Sequence, residues 1–229
     1  MPEAMLVLGI DTCGPTGSVA LGRLSGRGME HLGQTELAGR TYSATLVAAV
    51  GDLLAGQGAR VQDLGSIVAV NGPGSFTGVR VGLSAAKGLA ESAGIPVAAV
   101  SRLAVLAQKA QTASSALDAH RHEVFLRMGA QGAEARELLA SSGELAVITP
   151  QLTQIAVCDE AAAVLLAEAW PGAELVRVAP PTAADALDLA APRLWAGQFE
   201  DLALLDGHYL RRSDAEIFGE PGGAGQHSA

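Results

Sequence analysis

Three groups of residues carry side chains able to do chemistry. The first is Asp11, which closes the apolar run MLVLGID and precedes the turn TCGPTG. A carboxylate ending a strand can organise the magnesium of a nucleotide, or it can accept backbone hydrogen bonds within the turn that follows. The second is the stretch Gly72-Pro73-Gly74-Ser75-Phe76-Thr77-Gly78, set between a strand-like and a helix-like run. Free amides at such a helix start suit an anion, with Ser75 or Thr77 as the cap. The third is the pair His120 and His122. Two apart on an expected strand, they share a face and would grip a metal with Glu123 or Asp118 as third ligand, or simply be solvated.

Spacing narrows these options. The glycines have one residue too many for the dinucleotide pattern G-x-G-x-x-G, and no acidic residue ends the next strand. No Lys-Ser or Lys-Thr follows them, so they are not a P-loop, and Ser75 lacks the G-x-S-x-G frame of a hydrolase. Nothing local selects a histidine base for Ser75. The chain has no H-x-x-x-H pair, the spacing that sets two imidazoles on one helix face, and His31, His208 and His227 stand alone. The plain alternative for the elbow is architectural, with glycines that turn the chain tightly and let a helix sit close to its neighbour.

The elements that must position these residues follow from periodicity. Met5 to Asp11, Ser18 to Arg23 and a run near Glu30 to Leu37 read as a three-strand meander. From Tyr42 the apolar positions 46, 47, 50, 53 and 54 keep the helical period until Gly56 and Gly58 stop it, a helix of about fifteen residues. Its one charge is Asp52, so it lacks a water-facing side and reads as buried. Ser66 to Val70 is a continuous apolar strand, followed by the elbow, a helix to about Ser92, and the strand IPVAAV. Along that second helix Gly78, Gly82, Ala86 and Ala90 form a small-residue stripe that lets another helix approach, while Val79, Leu83 and Leu89 supply apolar contacts. The remainder repeats the recipe: a helix from Leu103, strands near Ser115 to Ala119, Glu123 to Met128 and Ile155 to Cys158, and helices near Glu160 to Ala169 and Ala183 to Trp195. Composition shifts at Ser101 and Arg102, which divides the chain into an N-terminal lobe, 1–101, and a smaller lobe, 102–212. Residues 213–229 lose periodicity and gain glycine, and are expected to be a disordered tail.

Composition sets outer bounds. At 229 residues and 49% hydrophobic content the chain can bury a core without staples. Fifteen basic against 24 acidic residues give a net charge of -9, which repels phosphate backbones. Cys13 and Cys158 show no metal or redox spacing, no secretory leader accompanies them, and the first apolar run is too short for a membrane span, so a reduced cytoplasm is expected.

The elbow and its helix, NGPGSFTGVRVGLSAAKGLA, resemble the signature of the TsaB (YeaZ) family of tRNA threonylcarbamoyladenosine biosynthesis proteins. IDTCGPTGSVAL, GRTYSATL, SRLAVLA, LDAHRHEVF and HYLRRSDAE match in the same order, over roughly Leu6 to Glu216. The resemblance implies an α/β, two-lobed actin-like ATPase or sugar-kinase-like (ASKHA) fold with mixed sheets flanked by helices. It implies a noncatalytic partner of a paralogous TsaD transferase, which modifies the adenosine beside the anticodon. It further implies that a TsaE-type ATPase joins the complex, that the chain is a homodimer when alone, that tRNA is met only through the complex, and that no membrane is involved. No cofactor belongs to the chain itself; ATP and metal are expected on the partner subunits.

The resemblance also places residues. Asp11, Thr12, Gly17 and Ser18, with Gly72, Gly74, Ser75 and Thr77, match loops facing an interlobe cleft. Tyr42, Leu46, Val50 and Leu53 of the first helix, and Gly78, Val79, Gly82, Leu83 and Ala86 of the second, match the helical interface with the transferase subunit or a second copy. The chain departs from the family pattern at Arg40-Thr41-Tyr42-Ser43, where R-x-H-S is common, at Asn71 in place of Arg, and at His120 in place of the Arg of D-A-R. Three other readings remain: a stand-alone ATP-dependent phosphotransferase using Asp11 and the elbow, a homodimer with a purely regulatory role using the same helices, and a peptidase-like relative using Ser75.

Overall fold

The computed structural model describes residues 4–129, 135–148 and 154–211. Its first sheet opens with the meander β1 (Met5–Asp11), β2 (Thr16–Ser25) and β3 (Gly28–Ala38), antiparallel throughout, with Met5 opposite Leu24 and Asp11 opposite Ser18. Two parallel strands, β4 (Ser66–Val70) and β5 (Val97–Val100), extend it on the other side of β1, giving the order β3-β2-β1-β4-β5. Every residue of β4 and β5 is buried, as apolar strands covered on both faces must be.

Side-chain alternation along β1 decides what covers each face. Gly9 lies under Ala183 and Leu187 of α6 (Ala183–Trp195), whereas its neighbour Ile10 points the other way, toward Gly82 of α2 (Phe76–Ala93). The helix α1 (Tyr42–Gly56) shares the face of α2, seating Leu46, Val50 and Leu54 on the sheet. Each such side chain, removed from water, contributes about 1.5–3 kcal/mol. The Ser75 hydroxyl caps α2, accepting the Gly78 N–H at 3.3 Å, and Gly94 ends it in the left-handed conformation at φ 67°.

The second sheet repeats the wiring. β6 (Ser114–Asp118), β7 (Glu123–Met128) and β8 (Arg136–Ser141) form an antiparallel meander, and β9 (Gln154–Val157) and β10 (Glu174–Arg177) run parallel to β6. The order β8-β7-β6-β9-β10 is the counterpart of the first sheet. With α3 (Arg102–Lys109), α4 (Ser142–Val147) and α5 (Glu160–Ala169), this is the expected α/β architecture of two mixed sheets flanked by helices.

Three differences from the sequence reading have physical reasons. β8, α4 and β10 were not read: β8 alternates weakly, and α4 and β10 are too short to establish a period. α6, assigned to the lobe 102–212, packs instead on the first sheet. Ala183, Ala186, Leu187, Ala190 and Leu194 belong to its core because, among the described residues, α6 is the helix that packs on β1, β2, β4 and β5 from that face. His120, Arg121 and His122 do not continue a strand; all three have φ near +60° and form the β6–β7 turn, so the two imidazoles do not share a strand face. The expected tail, 213–229, lies outside the described residues. No helix among those described is long and apolar enough to cross a membrane.

Candidate functional site

The β1–β2 loop and the elbow between β4 and α2 are packed backbone against backbone. The Thr12 hydroxyl donates to Gly78 O at 2.6 Å, and the Ser75 N–H donates to Cys13 O at 2.8 Å. A Cβ on Gly74 would run into Cys13 O and one on Gly78 into Thr12 O. The glycines therefore serve close approach of one loop to the other, which is the architectural reading of the elbow.

Asp11 sits beneath this contact, 1% exposed. Its Oδ1 accepts the Cys13 N–H at 2.8 Å, and its Oδ2 lies 3.4 Å from Nε of Arg102, the first residue of α3. Burial works against the Arg102 charge, but Asp11 beside it holds the guanidinium above its ordinary pKa. The same enclosure acts on neighbouring groups. Burial first, then the Asp11 charge, raises the Cys13 thiol well above its usual value and pushes the Tyr42 hydroxyl up to about 12. Tyr42 stays neutral and donates to Gly14 O at 2.7 Å.

An actin-like fold implies a magnesium nucleotide, and these residues do not fit one. The carboxylate that would hold the ion is already paired with a fixed cation and a backbone amide, and no group of three His, Cys, Asp or Glu among the described residues is arranged to hold a metal. Ser75 is equally committed, as a helix cap, and no histidine hydrogen-bonds it among the described residues.

A cleft of about 800 Å³ lies between the lobes. Phe76 and Val79 face it from the first lobe, Leu117 and Phe125 from the second, and Arg102 reaches it from below. Gly74 and Ser75 line it, whereas Asp11, Thr12, Gly17, Ser18, Gly72 and Thr77 are not among its lining residues. Each of those six has a different task or place. Thr12 ties the two loops, Gly17 clears the Tyr42 ring, Ser18 accepts the Ala183 N–H at 2.8 Å and so anchors α6, Gly72 turns the chain at φ 112°, and Thr77 is exposed on the first turn of α2. Cys158 also lines the cleft, its thiol pushed up to about 11 by burial.

A terminal strap closes one end of the cleft. The His208 N–H donates to Asn71 O at 2.7 Å, and its ring lies 2.9 Å from Glu137 of β8. Burial would raise the Glu137 pKa, but donors from His208, Ser101 and Arg127 outweigh it and hold the carboxylate below its usual range. Tyr209 packs on Phe76 with ring centroids 5.2 Å apart, and the Arg80 guanidinium stacks 3.8 Å above Phe76. Arg211 donates to Ala119 O at 2.8 Å and pairs with Glu123.

Sequence reading missed Arg102, although a signal was present. A cation at the first turn of a helix opposes the macrodipole, so an arginine there implies a carboxylate elsewhere that holds it.

The expected interface residues are placed differently from expectation. Tyr42, Leu46, Val50, Gly78, Val79, Gly82, Leu83 and Ala86 are buried in the chain's own first core, and Leu53 is half-buried against it. The small-residue stripe receives β1 and Thr12 rather than a foreign helix, because a Cβ on Gly82 would run into Thr12 Oγ1. What α1 shows to solvent is the opposite face: Ala44, Val47, Ala48, Gly51, Ala55 and Gly56, with Val47 63% exposed, together with the polar Ser43, Thr45 and Asp52. Beside it, Val81, Ala85 and Leu89 of α2 are half-buried.

Residues 34–153 match the family model described as TsaD: tRNA N6-adenosine threonylcarbamoyltransferase. Two curated relatives are called tRNA threonylcarbamoyladenosine biosynthesis protein TsaB. The protein from Haemophilus influenzae is 35% identical over 129 residues, 54% of this chain and 53% of the relative. The protein from Escherichia coli is 36% identical over 127 residues, 53% of each. The solved structure of YeaZ from Pseudomonas aeruginosa superposes with a TM-score of 0.72 at 26% identity, covering 90% of this chain and all of that one. The chain belongs to the TsaB (YeaZ) family. Its matched segment spans about half the length of the curated relatives, 53% in each case. Within that family frame the elbow, the helix pair and the meander of this chain form one continuous core.

Proposed function

We propose that the chain is a noncatalytic assembly subunit of the complex that forms threonylcarbamoyladenosine in tRNA, docking and activating a TsaD-type transferase through the outer face of α1 and α2. A TsaE-type ATPase completes the assembly, and a homodimer forms through the same face when the partner is absent. ATP, metal and tRNA are engaged by the complex rather than by this chain alone, and the setting is the cytoplasm.

The observation that carries this reading is the composition of the α1 outer face. A helix lying on a domain surface normally presents charged and polar side chains to water, whereas six of the nine exposed positions of α1 are alanine, valine or glycine, and Ser43, Thr45 and Asp52 are the polar ones. Small side chains on a solvated face allow another helix to approach closely. The Asp11–Arg102 pair supports the noncatalytic part, since the one carboxylate placed for metal chemistry already has a partner.

Reconstitution tests the proposal. Purified chain with Mg-ATP, an activated threonylcarbamoyl donor and tRNA is expected to give no modified adenosine, while adding it to the cognate transferase and ATPase supplied with the same donor raises turnover. The Asp11→Asn/Arg102→Met double variant, which leaves no unpaired buried charge, is expected to activate as well as the parent. ADP release from Mg-ATP by the isolated chain that disappears in the double variant would instead establish a phosphotransferase.

A further inference from the structure

The ion pair with Asp11 occupies one edge of the Arg102 guanidinium. That group donates from Nε and from both terminal nitrogens in one plane, and only Nε meets an acceptor, Asp11 Oδ2 at 3.4 Å. No acceptor among the described residues hydrogen-bonds Nη1 or Nη2. Neither nitrogen is sealed from solvent, because the fully enclosed side-chain atoms without a partner are Ser66 Oγ and Asn71 Oδ1. Arg102 lines the interlobe cleft and its side chain is 7% exposed, so the open surface of the fork faces that cleft.

Space for the fork is built into the β1–β2 loop. Gly14 lines the cleft beside Arg102, and a Cβ there would run into Nη2. Its φ is not in the left-handed region, so the missing side chain provides room rather than a turn. Unused donors on a buried cation are costly, and an anion in the cleft satisfies them.

The surroundings select the anion. Arg211 is held by Glu123 and Ala119 O, Asp118 and Asp159 line the cleft, and Arg121 is exposed at its rim. A guanidinium already shared with Asp11 and faced by two more carboxylates balances a monoanion and not a phosphomonoester dianion. A carboxylate also matches the flat fork, with two parallel N–H···O bonds. The remaining walls are apolar, Phe76 and Val79 on one side and Leu117 and Phe125 on the other, which suits a hydrocarbon body.

We propose that the interlobe cleft binds an apolar monocarboxylate, whose oxygens accept from Nη1 and Nη2 of Arg102 while its hydrocarbon body lies between the two apolar walls. A small organic acid and the C-terminus of a peptide ending in an apolar residue share this chemistry. The cleft and the outer face of α1 are separate surfaces, so this proposal and the docking proposal fail independently.

Titration of the full chain with hexanoate, read by calorimetry and by the amide resonances of Gly14, Phe76 and Leu117, tests it. Hexanol supplies the same body without charge, and hexyl phosphate the same body with a dianion. Saturable binding with shifts confined to the cleft is expected for hexanoate, and binding at least about tenfold weaker for the other two. Asp11→Asn with Arg102→Met removes the fork, leaves no unpaired buried charge, and is expected to weaken hexanoate binding at least about tenfold. Phe76→Ala, at a position 43% exposed, probes the wall without touching the buried pair and is expected to weaken binding about threefold with little change in melting temperature. The peptide acetyl-Ala-Ala-Leu with a free C-terminus forms the second arm. Binding at least as tight as that of hexanoate assigns the cleft to chain termini, and weaker binding assigns it to free organic acids. Absence of saturable hexanoate binding, equal affinity for hexanol or hexyl phosphate, or parent-like hexanoate binding by the double variant overturns the proposal.

Discussion

Asp11 illustrates how a residue of catalytic type becomes structural. Its side chain is 1% exposed and that of Arg102 7% exposed, so the pair has left water almost entirely. Breaking such a pair from one side leaves a buried charge without a partner, at a cost of about 3–5 kcal/mol, while neutralising both sides costs far less. Arg102→Met is therefore expected to lower unfolding free energy strongly. Asp11→Asn combined with Arg102→Met is expected to recover most of the loss, because the asparagine oxygen still accepts the Cys13 N–H. Urea denaturation of the two variants and the parent checks this, and equal destabilisation of both variants would mean that packing rather than charge governs the site. The sequence showed Asp11 and both of its possible roles; the choice between them needed Arg102, which is 91 residues away in the chain.

Among the elements, the helix pair shows what periodicity reveals and where it stops. The 3.6-residue repeat placed α1 and α2 almost to the residue, because large apolar side chains recur on the faces that cover the sheet. It did not say which neighbour the glycine stripe of α2 meets, since a stripe of small residues fits a strand or a helix equally well. The β8 and β10 strands were illegible for a related reason: four to six residues with only partial burial carry no clear alternation. The two kinds of helix glycine now separate experimentally. Gly82→Ala forces a Cβ against the buried Thr12 hydroxyl, and is expected to destabilise by about 1–3 kcal/mol. Gly51→Ala has nothing within 4 Å of the new Cβ and gains helix propensity, so about 0.5–1 kcal/mol of added stability is expected. Thermal or urea melts of both variants distinguish the inward stripe from the outward face.

For the whole molecule, two sheets with the same strand order frame a cleft, and α6 crosses back to seal the first of them. This exchange could not be read from composition, which shifts at Ser101 while the core follows packing. The cleft retains the shape of a ligand site but its loops are committed to one another, and α1 presents open apolar surface outside it. Val47 is the test position there: at 63% exposure a substitution has little effect on the fold, about 0.5 kcal/mol or less. Val164, 45% exposed on α5 of the second lobe, provides a control of similar chemistry. The decisive measurement is the affinity for the cognate TsaD-type transferase of the parent chain, Val47→Glu and Val164→Glu, read by calorimetry or sedimentation. The account expects Val47→Glu to weaken binding at least about tenfold and Val164→Glu to leave it unchanged; parent-like binding by Val47→Glu would contradict it.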